Sequence, residues 1–231
     1  KTLYGLTTLD LVAVLGFFIC WKGYSWSADY GPLQHTSIDT AMNHHRRRWI
    51  RTMLGRELRV IDTTIVANLI NGVGFFASTT ILIIGGLLAM LGAGDLAVRT
   101  LAALPYETTT TLTLWQIKIL LLVVIFIHAF FKFAWSLRLT NYCSTLIGGA
   151  PYPPLEEAVI ERYSTNVAEL ANLAGLHMNR GVRSYFFGLA AISWIYHPAL
   201  LIVATLWVTV TVYRREFRSR ARTAICAVLK E

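Results

Sequence analysis

Long blocks without a charged residue alternate with polar, arginine-rich stretches along this chain. Residues 63–94 form one such block of 32 residues, and residues 184–213 form another of 30. A bilayer core about 30 Å thick needs about 20 apolar residues in an α-helix. The pattern therefore predicts an all-α, polytopic helical membrane protein. We expect one integral membrane domain over 1–231 with four to five apolar segments, at about 6–21, 65–91, 112–137, 184–196 and 198–213.

The polar stretches between these segments predict a cytoplasmic layer of amphipathic helices at about 37–62 and 155–179. Ser37 is a suitable N-cap for the first of these helices. No proline separates that helix from the second apolar segment, so the pattern permits one unbroken helix through both. Gly181 follows the second amphipathic helix and is predicted to stop it.

The last apolar block, 184–213, has two interpretations, because His197-Pro198 divides it near its middle. As a helical hairpin it leaves seventeen Lys and Arg residues inside the cell and two outside. As one kinked span it leaves eleven inside and eight outside. The positive-inside rule favours the hairpin. We therefore expect a bacterial inner membrane protein with its N-terminus outside and its C-terminus cytoplasmic; four spans with a kinked last helix are the alternative.

Composition narrows the class of function. Hydrophobic residues make up 55% and charged residues 15% of the chain, against about 25% charged in a soluble domain, which argues against an ordinary cytosolic enzyme. The net charge of +8 is assigned to topology and anionic headgroups, with no nucleic-acid partner expected. HExxH, GxSxG, P-loop and GxGxxG motifs are absent from the sequence. The expectation is a non-enzymatic protein without cofactor, whose three distant cysteines are unpaired thiols and bind no metal.

Several strings along the chain resemble the bacterial and plant membrane proteins grouped as domain of unknown function 599. They are Phe75-Phe76-Ala77-Ser78-Thr79-Thr80, Phe131-Lys132-Phe133-Ala134-Trp135-Ser136-Leu137-Arg138 with Asn141-Tyr142-Cys143, His177-Met178-Asn179-Arg180-Gly181, and Trp194-Ile195-Tyr196-His197-Pro198 with Tyr213-Arg214-Arg215-Glu216-Phe217. The resemblance runs from about Leu11 to Arg222. It implies a multi-spanning helical membrane protein and brings no catalytic residues.

Polar residues within the second apolar segment are the first candidate site. Asn68, Asn71 and Ser78 fall on roughly one stripe of the predicted helix. A polar stripe on a lipid-spanning helix must face protein or water. It predicts either a path for a small ion or solute, or hydrogen bonds that hold helices together.

Basic and ionisable residues give two further candidates. Arg46, Arg47, Arg48 and Arg51 form the densest charge and are expected to bind anionic headgroups, to dock on acidic residues of the 155–179 helix or a partner subunit, or simply to set topology. His128, Lys132 and His197 are ionisable groups expected inside the membrane, where such groups mark functional sites by default. A haem b held by His128 and His197 is the least favoured reading.

The leading hypothesis is a self-associating inner-membrane protein whose second helix lines a path for a small ion or solute. The alternative is an accessory or scaffold subunit of a larger membrane complex. If the second helix lines a path, Asn68, Asn71 and Ser78 must be in contact with water. If the protein is a scaffold subunit, the same three residues are buried against another helix or another protein.

Overall fold

The chain is all-helical in the residues that the structure, a computed structural model, describes: 5–31, 34, 37–103 and 111–228. No strand occurs among them, which confirms the predicted all-α class. The eight α-helices are α1 (Thr8–Asp29), α2 (Ile38–Leu54), α3 (Val60–Gly92), α4 (Gly94–Ala102), α5 (Leu112–Gly148), α6 (Glu157–Ile192), α7 (Pro198–Phe217) and α8 (Arg220–Ala227). Both termini of the predicted domain 1–231 extend beyond the described residues.

Three helices, α1, α3 and α5, are long and apolar enough to cross a membrane. They run between two ends of the molecule. We call one the basic end; it holds α2, the first half of α6 and α8. We call the other the distal end; it holds α4 and the turn between α6 and α7. At the distal end Trp194 Nε1 donates to Asp10 Oδ1 at 2.8 Å and Trp115 Nε1 donates to the Met90 carbonyl at 3.3 Å.

The last apolar block folds back on itself as a helical hairpin. A 3₁₀ turn, Ser193–Ile195, follows α6, and Pro198 occupies the first turn of α7, where its missing N–H costs nothing. His197 caps α7 by accepting a hydrogen bond from the Ala199 amide at 3.1 Å. Because the Arg215 guanidinium lies 5.9 Å from the Phe186 ring centroid, α7 returns along α6 to the basic end. The helical hairpin that the charge count favoured is therefore what forms, and the alternative of one kinked helix is not.

Three apolar cores hold the described helices together, and one of them lies between α3 and α5. The largest one joins α1, α5, α6 and α7 around Phe17, Trp21, Phe126 and Phe187. A smaller one lies at the basic end, where α2 packs on α3, α5 and α6 through fully buried residues such as Met53. The helices thus continue past the apolar segments because a second core extends the bundle at the basic end.

Several helices extend beyond the predicted apolar segments. The first segment is predicted to end near residue 21, and α1 continues to Asp29; the third is predicted to end near 137, and α5 continues to Gly148. Gly181 does not stop α6, which continues to Ile192. A Cβ atom at Gly181 would overlap the Phe133 ring, so this glycine permits close helix packing and does not end the helix.

The helix is interrupted between α2 and α3, although the sequence permitted one continuous helix through both. Gly55 caps α2, and α3 begins at Val60. The Arg59 guanidinium donates to the carbonyls of Ala150 and Pro151 at 2.5 and 2.6 Å. Buried Asp62 accepts from Trp49 Nε1 at 2.7 Å. The Trp49–Asp62 bond holds α2 against the start of α3, and the Arg59 bonds hold the turn between them against residues 150–151.

Candidate functional site

The polar stripe of α3 faces away from the rest of the molecule. Asn68, Asn71 and Ser78 are all exposed, whereas Val66 and Val73 on the opposite face are buried against the other helices. Of the three long apolar helices, α3 is the least buried. Helical periodicity grouped the three polar residues on one side of the helix, and no other described helix covers that side.

Residues on this exposed face repeat every seven positions. One row is Asn68, Phe75, Leu82 and Ala89; the second, three residues on, is Asn71, Ser78, Gly85 and Gly92. This is the a/d spacing of helices that pack at a shallow left-handed angle. Phe75 is 66% and Leu82 76% exposed. Around Gly85 an added Cβ atom would meet nothing within 4 Å, so no close packing within the chain accounts for the small residues. We call these eight residues the α3 seam.

The arginine run of α2 is held largely by acids. Arg47 pairs with Glu161, and Arg51 pairs with Glu157 and, at 3.1 Å, with Glu161. These pairs are about half exposed, so each contributes at most about 1 kcal/mol. Together they place α2 along the first half of α6.

Two other arginines of the run behave differently. Arg46 is the most enclosed: its Nη1 lies 3.3 Å from both Asp39 Oδ1 and Asn172 Oδ1. Its guanidinium crosses α6 at Gly175, where a side chain would collide with it. Arg48 is exposed and forms no ion pair with a described residue. Three of the four predicted basic residues are therefore engaged with acidic partners, and Arg48 faces outward.

The two histidines suggested as haem ligands lie at different depths. His197 caps α7 at the distal end with its Nδ1. The neighbouring Ile195 carbonyl accepts from Lys118 Nζ at 3.3 Å, and His128 lies ten residues beyond Lys118 along α5, which is about 15 Å of helix. The two imidazoles therefore do not form a pair of axial ligands. Among the described residues, no three His, Cys, Asp or Glu side chains converge as a metal site would require.

His128 and Lys132 instead belong to a group of basic side chains from three helices. The His128 ring packs edge-on against Trp21, with centroids 5.6 Å apart, and Lys22 Nζ lies 4.4 Å from the centroid of the same indole. His177 on α6 packs against Trp135 at 6.3 Å. These contacts bring imidazole and ammonium groups of α1, α5 and α6 to one side of the bundle.

Sequence reasoning missed one buried charged network entirely. Asp29, at the end of α1, accepts from Arg180 Nε at 2.7 Å and also pairs with Arg183. Both Asp29 and Arg183 are nearly inaccessible. The network joins α1 to α6 at the basic end. Arg180 and Arg183 are three residues apart on α6, which places them on one helix face, but nothing in the sequence identifies Asp29 as their partner.

Fold and surface together define an all-helical protein with three helices long and apolar enough for a membrane. The chain belongs to the family described as "Protein of unknown function, DUF599", whose model matches residues 12–221. The resemblance drawn from the sequence motifs is thereby confirmed. No curated protein and no solved structure matches the chain.

Proposed function

We propose that this protein is a non-enzymatic, self-associating component of the bacterial inner membrane, in which neighbouring copies meet through the α3 seam. The observation that supports this most strongly is the exposure of Asn68, Asn71 and Ser78 on a helix apolar enough to cross the bilayer. Hydrocarbon offers no partner for an amide, so such side chains face protein or water. Because none of the described residues covers these three side chains, we infer that a second copy of the chain does.

The seam suits a second copy of the same helix. In a two-fold arrangement each residue of the seam meets its own row on the partner, so Asn68 and Asn71 find amide partners of matching chemistry. Glycines in the second row let the backbones approach closely. Polar contacts of this kind contribute about 0.6 kcal/mol each, and an asparagine at an a position also fixes register.

The proposed membrane arrangement has five crossings: α1, α3, α5, the second half of α6, and α7. The hairpin returns α7 to the same end as α2, and α8 contacts α2 through a 3.0 Å hydrogen bond between His45 Nε2 and the Ile225 carbonyl. The arginines of 46–59 and 214–222 therefore share the basic end, while Arg99 lies on α4 at the distal end. By the positive-inside rule the basic end is cytoplasmic. This orientation can be tested with a reporter enzyme that is active only in the periplasm, fused after Glu231. Activity of that reporter in cells would contradict a cytoplasmic C-terminus.

Cysteine cross-linking tests the α3 seam directly. In a variant without Cys20, Cys143 and Cys226, Leu82→Cys is placed in the seam, and Leu88→Cys is placed about 120° away on the same helix. Both leucines are exposed, at 76% and 50%. We expect oxidation in native membranes to give a covalent dimer from the Leu82 variant and much less from the Leu88 variant. Equal cross-linking of both, or of neither, contradicts the proposal.

A path for a small ion or solute is the more specific form of this proposal. In the single chain Asn68, Asn71 and Ser78 point outward, so such a path would run between copies, with the stripe turned towards the axis. Flux into liposomes that falls for Asn71→Leu, while cross-linking at Leu82 persists, supports a path. Efficient cross-linking without any flux instead favours the scaffold alternative.

A further inference from the structure

A group of hydrogen-bond donors lies together on the side of the bundle, near the basic end. Lys22 comes from α1, His128 and Lys132 from α5, and His177 from α6. We call these four residues the lateral donor cluster. Trp21 lies between two of them, because Lys22 Nζ and the His128 ring are 4.4 and 5.6 Å from its ring centroid. His128 and Lys132 are four residues apart and share a helix face. The Lys132 charge acts on Lys22 and on both histidines.

The cluster has no acidic partner of its own among the described residues. Asp29 is the carboxylate whose charge reaches His177, but its two oxygens are engaged by Arg180 and Arg183. Neither lysine of the cluster forms an ion pair with a described residue, and the buried His177 Nδ1 has no hydrogen-bond partner. The cluster therefore combines two ammonium groups, which repel each other, with two imidazoles. An anion with several acceptor oxygens can bind all of these groups together.

The depth of the cluster indicates where that anion comes from. Trp26, four residues after Lys22, is 64% exposed, and Trp135, three residues after Lys132, is 48% exposed. Exposed tryptophans on apolar helices mark the level of the membrane interface. Lysine stems just inside that level extend their ammonium groups towards the headgroups. The cluster thus lies where α1 and α5 leave the apolar layer, at the height of lipid phosphates.

We propose that the lateral donor cluster binds the phosphate group of an anionic membrane lipid. The phosphate oxygens accept hydrogen bonds from Lys22, Lys132 and the imidazole N–H groups, and the negative charge removes the repulsion between the two lysines. A phosphatidylcholine headgroup brings a quaternary ammonium next to the same lysines, so the site prefers phosphatidylglycerol. This site is distinct from the arginine run of α2, most of which is engaged by acids of α6.

Native mass spectrometry of the detergent-purified full chain tests the site. Equal amounts of phosphatidylglycerol and phosphatidylcholine are added, and lipid adducts are counted on the monomer peak, so the result does not depend on the α3 seam. For Lys22→Gln/Lys132→Gln we expect the phosphatidylglycerol adduct to fall about tenfold. The matched control, Arg48→Gln/Arg218→Gln, likewise removes two positive charges, both of them exposed, and should change the adduct less than about twofold.

Further variants keep the proposal falsifiable. Lys22→Arg/Lys132→Arg retains both charges and should retain the adduct, and Lys22→Gln alone, at an exposed position, should give an intermediate loss. Equal loss in the control variant would show diffuse attraction and overturn the proposal. Unchanged binding by Lys22→Gln/Lys132→Gln also overturns it. Displacement of the lipid by millimolar inorganic phosphate would show a site for free anions and contradict a lipid site.

Discussion

Replacement of Gly181 by alanine tests the close packing of α6 against α5. The α carbon of Gly181 lies against the ring of Phe133, which is fully buried. That ring stacks on Phe76 with centroids 5.3 Å apart and meets Tyr185 edge-on at 5.4 Å. An added methyl group cannot be accommodated unless Phe133 moves, and Phe133 has neighbours on its other sides.

The expected change in the free energy of unfolding of Gly181→Ala follows from two opposing effects. Forcing an extra methyl group into a well-packed core costs about 1–3 kcal/mol. Alanine in place of glycine in a helix interior gains about 1 kcal/mol. Gly16→Ala in α1 is the matched control, because a Cβ atom there meets nothing within 4 Å. The gain in helix propensity is common to both variants, so Gly181→Ala should be less stable than Gly16→Ala by about 1–3 kcal/mol.

The assay is reversible unfolding in mixed micelles, followed by tryptophan fluorescence, for the wild type and both variants. A second substitution makes the test specific: Phe133→Leu shortens the opposing side chain and should recover part of the loss in Gly181→Ala, although alone it leaves a cavity. Contacting residues show such coupling, of about 0.5–3 kcal/mol. If Gly181→Ala proves as stable as Gly16→Ala, or if Phe133→Leu gives no recovery, the close contact between α5 and α6 is wrong.

A further prediction concerns the basic end. Asp62→Ala leaves Trp49 Nε1 without its acceptor and should destabilise the contact between α2 and α3 by about 1–3 kcal/mol. Faster trypsin cleavage after α2, with a smaller increase for Asp62→Asn, would show this loss. Unchanged cleavage of Asp62→Ala would contradict the prediction.

The apolar pattern predicted the helical class because the length of each uncharged block is read directly from the sequence and matches the length of a membrane-spanning helix. The turn at His197-Pro198 could also be predicted from the sequence, because proline favours the start of a helix through local geometry alone. The role of Gly181 could not be predicted, because glycine is found both at helix ends and where two helices pack closely. Only the position of Phe133 on another helix decides between them.

The α3 seam shows a second limit of the sequence. Periodicity placed Asn68, Asn71 and Ser78 on one side of their helix, but it cannot say whether that side faces the same chain or its surroundings. In the structure the opposite face, with Val66 and Val73, is the buried one. The lateral donor cluster was found only in part, because Lys22 and His177 join His128 and Lys132 through contacts between helices far apart in sequence.

The pairing of α1 with α7 has a consequence for how this protein is made. Helix α1 makes most of its contacts with α7 and few with α6, and Tyr24 Oη donates to Glu216 Oε2 at 2.6 Å. The ribosome completes α1 nearly two hundred residues before it completes α7. For most of that interval Asp29 lacks its arginine partners on α6, and Asp10 lacks Trp194 in the turn that follows α6. The contacts that bury one face of α1 therefore form only late in synthesis.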